Sequence, residues 1–134
     1  MPTYTPAQQK ANRLEWIEAL RSGQYEQGSG NLKQIRSSAK ELYCCLGVLC
    51  DVSNLKEWFA TGDMANTFKY GDVDLEEGLV PPEVRDWAGL TEYAVDWDSV
   101  HFEESLAAKN DDKGWSFEQI ADWLESEPEG VING

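Results

Sequence analysis

A nearly continuous apolar run, LYCCLGVLCDV at residues 42–52, constrains the fold of this chain more than any other stretch. Burial of apolar surface is the main driving force of folding, so this run has to lie in the core. The spacing of its apolar residues fits one stripe of a helix, and its length also fits a buried strand. We favour a helix because the polar residues at its end, Asp51, Ser53 and Asn54, then terminate it; a strand remains the alternative.

All three cysteines, Cys44, Cys45 and Cys50, fall inside this run. A structural zinc site usually takes four Cys or His ligands in two spaced pairs, whereas His101 is the single histidine of the chain. Neighbouring side chains diverge on a strand and on a helix, so Cys44 and Cys45 do not readily bind one ion. A catalytic thiol would need a cationic partner, and His101 lies among carboxylates. We therefore interpret the cysteines as core residues that bind no metal.

The N-terminal segment predicts an amphipathic helix. Thr5, Pro6 and Gln8 form a capping-box start, and Ser22-Gly23 supplies the stop of a helix over about residues 6–22. Its predicted buried stripe consists of Ala7, Ala11, Leu14, Ile17 and Leu20, with Trp16 beside them.

Two further segments carry helix signals. Pro81-Pro82 predicts the start of a short helix that ends at Gly89. Ser116 with Gln119 forms a second capping box, followed by a helix that ends at Pro128. Its predicted buried stripe is Phe117, Ile120, Ala121 and Leu124.

The remaining segments predict loops and short strands. Residues 23–38 favour a loop with a short strand, and residues 55–62 favour a helical turn or an irregular segment. Alternating apolar residues around Gly71-Asp72 predict a β-hairpin, and residues 91–102 predict a strand pair. The chain is thus predicted to be a single α+β domain over residues 1–134, with amphipathic helices at both ends, short antiparallel β-hairpins between them, and fraying over 1–4 and 127–134.

Charge divides the chain into two unlike portions. Residues 1–50 carry six basic and four acidic residues, net +2, and residues 51–134 carry five basic and 21 acidic residues, net -16. An acidic field of this size repels nucleic acid and anionic membranes, and it attracts basic protein surfaces or simply maintains solubility. No apolar window approaches a membrane span and no export signal is recognised, so we expect a soluble cytoplasmic protein that binds neither membrane nor nucleic acid directly.

Four motifs, taken in order, resemble a known family. They are NRLEWIEALRSGQYEQGSGNLK, YCCLGVLCDV, GLVPPEVRDWAGL and LAAKNDDKGWSFEQIADWLES. Together they resemble a family of small uncharacterised proteins of tailed bacteriophages, over most of the chain. The last motif carries insertions here, at residues 110–116. The resemblance implies a phage accessory protein, and it implies no catalytic residue and no cofactor.

Four polar residues match this family's motifs and lie in predicted loops: Tyr25, Gln27, Asn110 and Asp111. Loops often carry binding groups, so these residues are candidate site residues. The alternative is structural, with Gln27 bonding loop backbone and Asn110 or Asp111 organising the turn before the last helix.

We expect a non-enzymatic phage accessory protein that binds and sequesters a host component and thereby antagonises host defence. In the first reading, tryptophans and the polar residues Arg21, Gln27 and Arg36 hold a small nucleotide-like ligand. In the second, the acidic portion imitates nucleic acid and blocks a basic host protein. A third reading is a small hydrolase that uses carboxylates, such as Glu76-Glu77, and a divalent ion. Oligomeric state is left open.

Overall fold

Helices and a small mixed sheet make up the computed structural model, which describes residues 4–28, 33–35, 40–60, 67–70, 80, 82–90, 114–127 and 132. The elements in chain order are α1 (Pro6–Ser22), β1 (Glu26–Gln27), β2 (Lys33–Ile35), β3 (Glu41–Tyr43), α2 (Cys45–Ser53), β4 (Trp58–Ala60), β5 (Thr67–Tyr70), α3 (Pro82–Ala88) and α4 (Phe117–Glu125). The predicted α+β class is confirmed. The predicted strand pair over 91–102 lies outside the described residues, as do residues 1–3, 128–131 and 133–134 of the segments predicted to fray.

The sheet has the strand order β1-β3-β2-β5-β4. Its β2–β3, β2–β5 and β4–β5 pairs are antiparallel, whereas β1 and β3 run parallel. The pairs β2–β3 and β4–β5 each join successive strands, so the expectation of short antiparallel hairpins is confirmed.

Two local strand predictions need correction or restriction. The helical turn or irregular segment predicted for residues 55–62 is wrong at β4, where Trp58 pairs with Tyr70 and Ala60 with Phe68. Pairing with a distant strand overrides local preference there. Residues 67–70 form a strand, β5, as the hairpin predicted around Gly71-Asp72 requires, but β5 lies between β2 and β4 and so pairs on both sides with strands that precede it. The second strand predicted for that hairpin falls within residues 71–79, outside the described residues.

The cysteine-rich run contains both structures that its sequence permits. Leu42 lies in β3, between Glu26 of β1 and Gln34 of β2, so its backbone belongs to the sheet. The chain then turns at Cys44, the N-cap of α2. The prediction of a helix is therefore correct from Cys45 onward, and the strand alternative is correct for Leu42 and Tyr43.

Helix α1 begins and ends as predicted, but its buried face is different. The Thr5 capping box with Gln8 is present, and Gly23 ends the helix at φ 79°. The buried residues are Gln9, Arg13, Trp16, Ile17 and Leu20, whereas the predicted stripe members Ala7, Ala11 and Leu14 are exposed. The predicted stripe differs because it was built from apolar residues alone, whereas the N-terminal half of the buried face is polar.

The polar half of this face bonds the C-terminus of α3. Gln9 Nε2 donates to the carbonyl of Asp86 at 2.8 Å, Asn12 Nδ2 to that of Trp87 at 2.9 Å, and Arg13 Nη1 to that of Ala88 at 2.9 Å. The last carbonyls of a helix lack partners within the helix, and here α1 supplies them.

The backbone after α3 completes this capping. Gly89 N donates to the Asp86 carbonyl at 3.1 Å and Leu90 N to the Arg85 carbonyl at 3.0 Å, which is a Schellman motif. The positive φ of Gly89, 70°, provides the left-handed residue that this motif requires. All four terminal carbonyls of α3 thus have donors.

The apolar half of α1 lies in the core. Helix α1 packs against α2, α3 and α4, and Trp16 is fully buried with its Nε1 donating to the Cys45 carbonyl at 3.0 Å. The predicted buried stripe of α4 is confirmed in full. None of the helices among the described residues is both long and apolar enough to cross a bilayer.

We predict that Gly89→Ala lowers the free energy of unfolding by about 2–4 kcal/mol, measured by urea denaturation. A Cβ at Gly89 would lie 2.8 Å from Arg13 Nη1 and 3.0 Å from Gln9 Cβ. Arg13 can withdraw only by giving up its bond to Ala88.

Gly114→Ala is the matched control, because Gly114 has φ 66° and a Cβ there would meet nothing within 4 Å. It should cost about 1–2 kcal/mol, from backbone strain alone. Equal losses for both variants would show that the contact between α1 and the end of α3 is not tight.

Candidate functional site

Three of the six predicted site residues lie close together in sequence, in the last turn of α1 and just after it, but their side chains make separate contacts. Arg21 is in the last turn of α1, and Tyr25 and Gln27 follow it. Arg36, Asn110 and Asp111 lie outside the described residues. The predicted set is therefore not brought together at one point within the part of the chain that the structure describes.

Arg21 forms ion pairs with α4. Its Nη2 lies 2.6 Å from Asp122 Oδ1 and its Nη1 lies 2.9 Å from Glu125 Oε2. These hydrogen bonds raise the pKa of the Arg21 guanidinium. The two ion pairs connect α1 to α4. Because they are exposed to solvent, they add little to stability.

Gln27 bonds backbone, as the structural alternative predicted. Its Nε2 donates to the carbonyl of Trp115 at 2.7 Å, and its Oε1 accepts from Phe117 N at 3.2 Å. The side chain thereby attaches β1 to the first turn of α4.

Tyr25 belongs to an aromatic and charged cluster formed by Tyr25, Lys33, Tyr43, Asp51 and Trp58. Asp51 accepts hydrogen bonds from Tyr25 Oη at 2.5 Å and from Trp58 Nε1 at 3.1 Å. The Tyr25 and Tyr43 rings meet edge to face at 5.0 Å, and Lys33 Nζ lies 5.6 Å from the Tyr43 centroid and 5.3 Å from that of Trp58. Desolvation by burial, and then the bond to Asp51, raise the pKa of Tyr25.

The cysteines are sealed in the core. Cys44, Cys45 and Cys50 are free thiols with at most 3% of their surface exposed. Burial raises the pKa of the Cys50 thiol well above its usual value, so the reactive thiolate is disfavoured. No group of three or more His, Cys, Asp or Glu side chains that could hold a metal ion occurs among the described residues.

Two grooves lie on the described surface. One, of about 180 Å³, runs between α1 and α4 and is lined by Lys10, Arg13, Leu14, Ile17, Leu124, Glu125 and Glu127. The other, of about 220 Å³, is lined by Tyr4, Leu55, Lys56, Glu83 and Asp86. In the second groove Lys56 Nζ lies 2.7 Å from Glu83 Oε2, so Lys56 is paired with a carboxylate.

The groove between α1 and α4 contains a residue that the sequence prediction missed. This residue is Arg13, a charged side chain that is buried, with 6% of its surface exposed. Its spacing to Trp16, Ile17 and Leu20 places it on the buried face of α1, and that signal was available in the sequence.

We predict that none of the three thiols reacts with Ellman's reagent in the folded chain at neutral pH, and that all three react in guanidinium. The physical reason is burial, which excludes the reagent and disfavours the thiolate. Rapid labelling of even one thiol without denaturant would contradict the assignment of these cysteines to the core.

A second prediction concerns alkaline pH. Burial and hydrogen bonds to carboxylates raise the pKa of Tyr25 and of Tyr43. Above about pH 10 the unfolded chain loses these phenol protons while the folded chain keeps them, so the free energy of unfolding falls as pH rises. Tyrosinate absorbance should show at least two of the five tyrosines titrating only upon unfolding.

The matched variant for this titration is Tyr25→Phe, which should remove one of the late-titrating groups. Ordinary titration of all tyrosines in the folded chain would contradict the burial of this cluster.

Comparison with known proteins gives one result. Residues 8–128, from the first turn of α1 to just beyond α4, match the model of a protein family described as Domain of unknown function (DUF8296). Searches against curated proteins and against solved structures gave no match. Since the matched segment covers most of the sequence, the chain belongs to the DUF8296 family.

Proposed function

We propose that this protein is a non-enzymatic accessory protein of a tailed bacteriophage that binds and sequesters a host component in the host cytoplasm, and so antagonises host defence. The phage origin rests on the resemblance of its four motifs to phage proteins. The burial of the three thiols supports binding over catalysis, because it keeps the strongest nucleophiles among the described residues away from solvent.

The partner that we propose is a basic, nucleic-acid-binding host protein, whose basic groove the acidic portion of the chain occupies. The observation that carries this proposal is the net charge of -16 over residues 51–134. Helix α4 contributes to it: Glu118, Asp122 and Glu125 are exposed and recur at i, i+4 and i+7, on one face. Arg21 pairs with Asp122 and Glu125, so three acidic residues and one arginine leave this face a net charge of -2. Such a field increases the association rate with basic surfaces.

A small nucleotide-like ligand stays a prediction, with less support. Of the residues named for it, Arg21 is paired with two carboxylates and Gln27 is bonded to backbone. Arg36 lies outside the described residues. The carboxylate-dependent hydrolase is likewise a prediction, and it gains no support from the described residues, which contain no metal-binding group of three.

The test is affinity capture from host lysate on the immobilised full chain, followed by a salt gradient or by double-stranded DNA. We expect a basic protein that elutes as salt rises and is displaced by DNA, because both compete for the same electrostatic contacts. Captured proteins that resist salt and are not displaced by DNA would overturn nucleic-acid mimicry.

Two double variants with the same change in net charge distinguish the effect of the α4 face on binding from the effect of total charge. Glu118→Gln/Asp122→Asn and Glu15→Gln/Glu18→Gln each remove two exposed carboxylates, the first from the acidic portion and the second from α1. The first should weaken binding and reduce its salt dependence more than the second. Equal effects would contradict a role for the α4 face.

A further inference from the structure

The groove between α1 and α4 contains a buried cation with unused hydrogen-bond donors. The Arg13 guanidinium has five N–H donors, and within the described part of the chain one hydrogen bond, from Nη1 to the Ala88 carbonyl, is its only one. Four donors therefore lack a protein acceptor there. The residue is more than nine-tenths buried and its side chain lines the groove.

A buried cation without a paired anion is costly, so this arrangement calls for an acceptor. Burial lowers the pKa of Arg13 from its usual value, and the charge of Glu127 opposes that shift. Arginine remains charged at neutral pH, so an anion that enters the groove meets a cation that little water screens.

The two carboxylates of the groove are engaged by other cations. Glu127 Oε1 lies 3.3 Å from Lys10 Nζ, and Glu125 Oε2 lies 2.9 Å from Arg21 Nη1. Neither makes an ion pair with Arg13 among the described residues. The charged lining residues, two basic and two acidic, sum to zero. Among the described residues, Arg13 makes no ion pair with a carboxylate.

The rest of the lining is apolar. Ile17 and Leu124 are buried core residues, and Leu14 lines the groove with 43% of its surface exposed. An exposed leucine beside a buried arginine suits a ligand that has an apolar body and an anionic head. The groove volume of about 180 Å³ corresponds to roughly six water molecules, at roughly 30 Å³ each.

We propose that this groove binds a small monocarboxylate, with the free N–H groups of Arg13 donating to the carboxylate and Leu14, Ile17 and Leu124 contacting its aliphatic or aromatic body. The planar guanidinium donates two parallel hydrogen bonds to a carboxylate. The groove adjoins the α4 face proposed for the basic partner, because Glu125 lines it, but ligand binding at Arg13 does not depend on that partner.

A monocarboxylate fits better than a nucleotide or free phosphate on two grounds. The groove is small, and a nucleotide would extend out of it. The protein also has a net charge of -14, which penalises a doubly charged phosphate more than a singly charged carboxylate.

The experiment titrates the full chain, labelled with ¹⁵N-arginine, with hexanoate, hexanol and inorganic phosphate. The chain has four arginines, so the Arg13 Nε–H resonance is assigned by its loss in Arg13→Met. We expect a saturable shift of this resonance with hexanoate, at least tenfold weaker binding of hexanol, which lacks the charge, and weaker binding of phosphate, which lacks the apolar body.

Arg13→Met also removes the hydrogen bond to the Ala88 carbonyl at the end of α3, so a second variant decides the outcome. Leu14→Asp changes an exposed side chain that lines the groove, and it should reduce hexanoate affinity about tenfold or more while the chain stays folded. Leu55→Asp, at the other groove and 39% exposed, is the matched control and should leave hexanoate affinity unchanged.

Three results would each overturn the proposal: hexanoate binding no more tightly than hexanol, an Arg13 resonance that does not move, or equal affinities in Leu14→Asp and the wild type. Tighter binding of phosphate than of hexanoate would replace the monocarboxylate with a phosphate ligand and so would also overturn it. Loss of partner capture in Glu118→Gln/Asp122→Asn would not count against this site, because neither residue lines the groove.

Discussion

The helical part of the structure depends on the hydrogen bonds from α1 to the end of α3. Three side chains of α1 donate to the last three carbonyls of α3. A buried carbonyl without a donor costs about 1–3 kcal/mol, so α3 can pack here because these donors are present. The same face of α1 is polar at Gln9 and apolar at Trp16 and Leu20. One helix therefore caps a neighbour at one end and fills the core at the other.

The sheet is joined to the helices largely by polar and aromatic contacts. Its strands have two to four residues each, too few to present a large apolar face. Asp51 on α2 accepts hydrogen bonds from Tyr25, which precedes β1, and from Trp58 on β4, and so connects these segments to the helix. Lys33 on β2 lies over the rings of Tyr43 and Trp58. Tyr25 thus connects the loop after α1 to α2 through Asp51 and contacts the Tyr43 ring of β3.

The cations on α1 are of two kinds: surface cations that pair with carboxylates, and a buried cation that is a candidate ligand group. Arg21 and Lys10 lie at the surface and pair with carboxylates of α4 and the residues after it. Arg13 lies between them in the chain but is buried, and its one hydrogen bond among the described residues goes to a carbonyl. In a chain with 25 acidic residues, a buried arginine that contacts none of the described carboxylates is unusual enough to be a candidate ligand group.

The sequence by itself determined the features that short-range chemistry controls. Both capping boxes, the bounds of α1 and α3, the buried stripe of α4 and the α+β class follow from residues a few positions apart. Only the tertiary structure decided where the cysteine-rich run changes from strand to helix, that residues 58–60 form a strand, and that Arg13 donates to a carbonyl 75 residues away. The physical reason is that a strand needs a partner strand and a buried charge needs a distant acceptor, and neither partner is recorded in the local pattern.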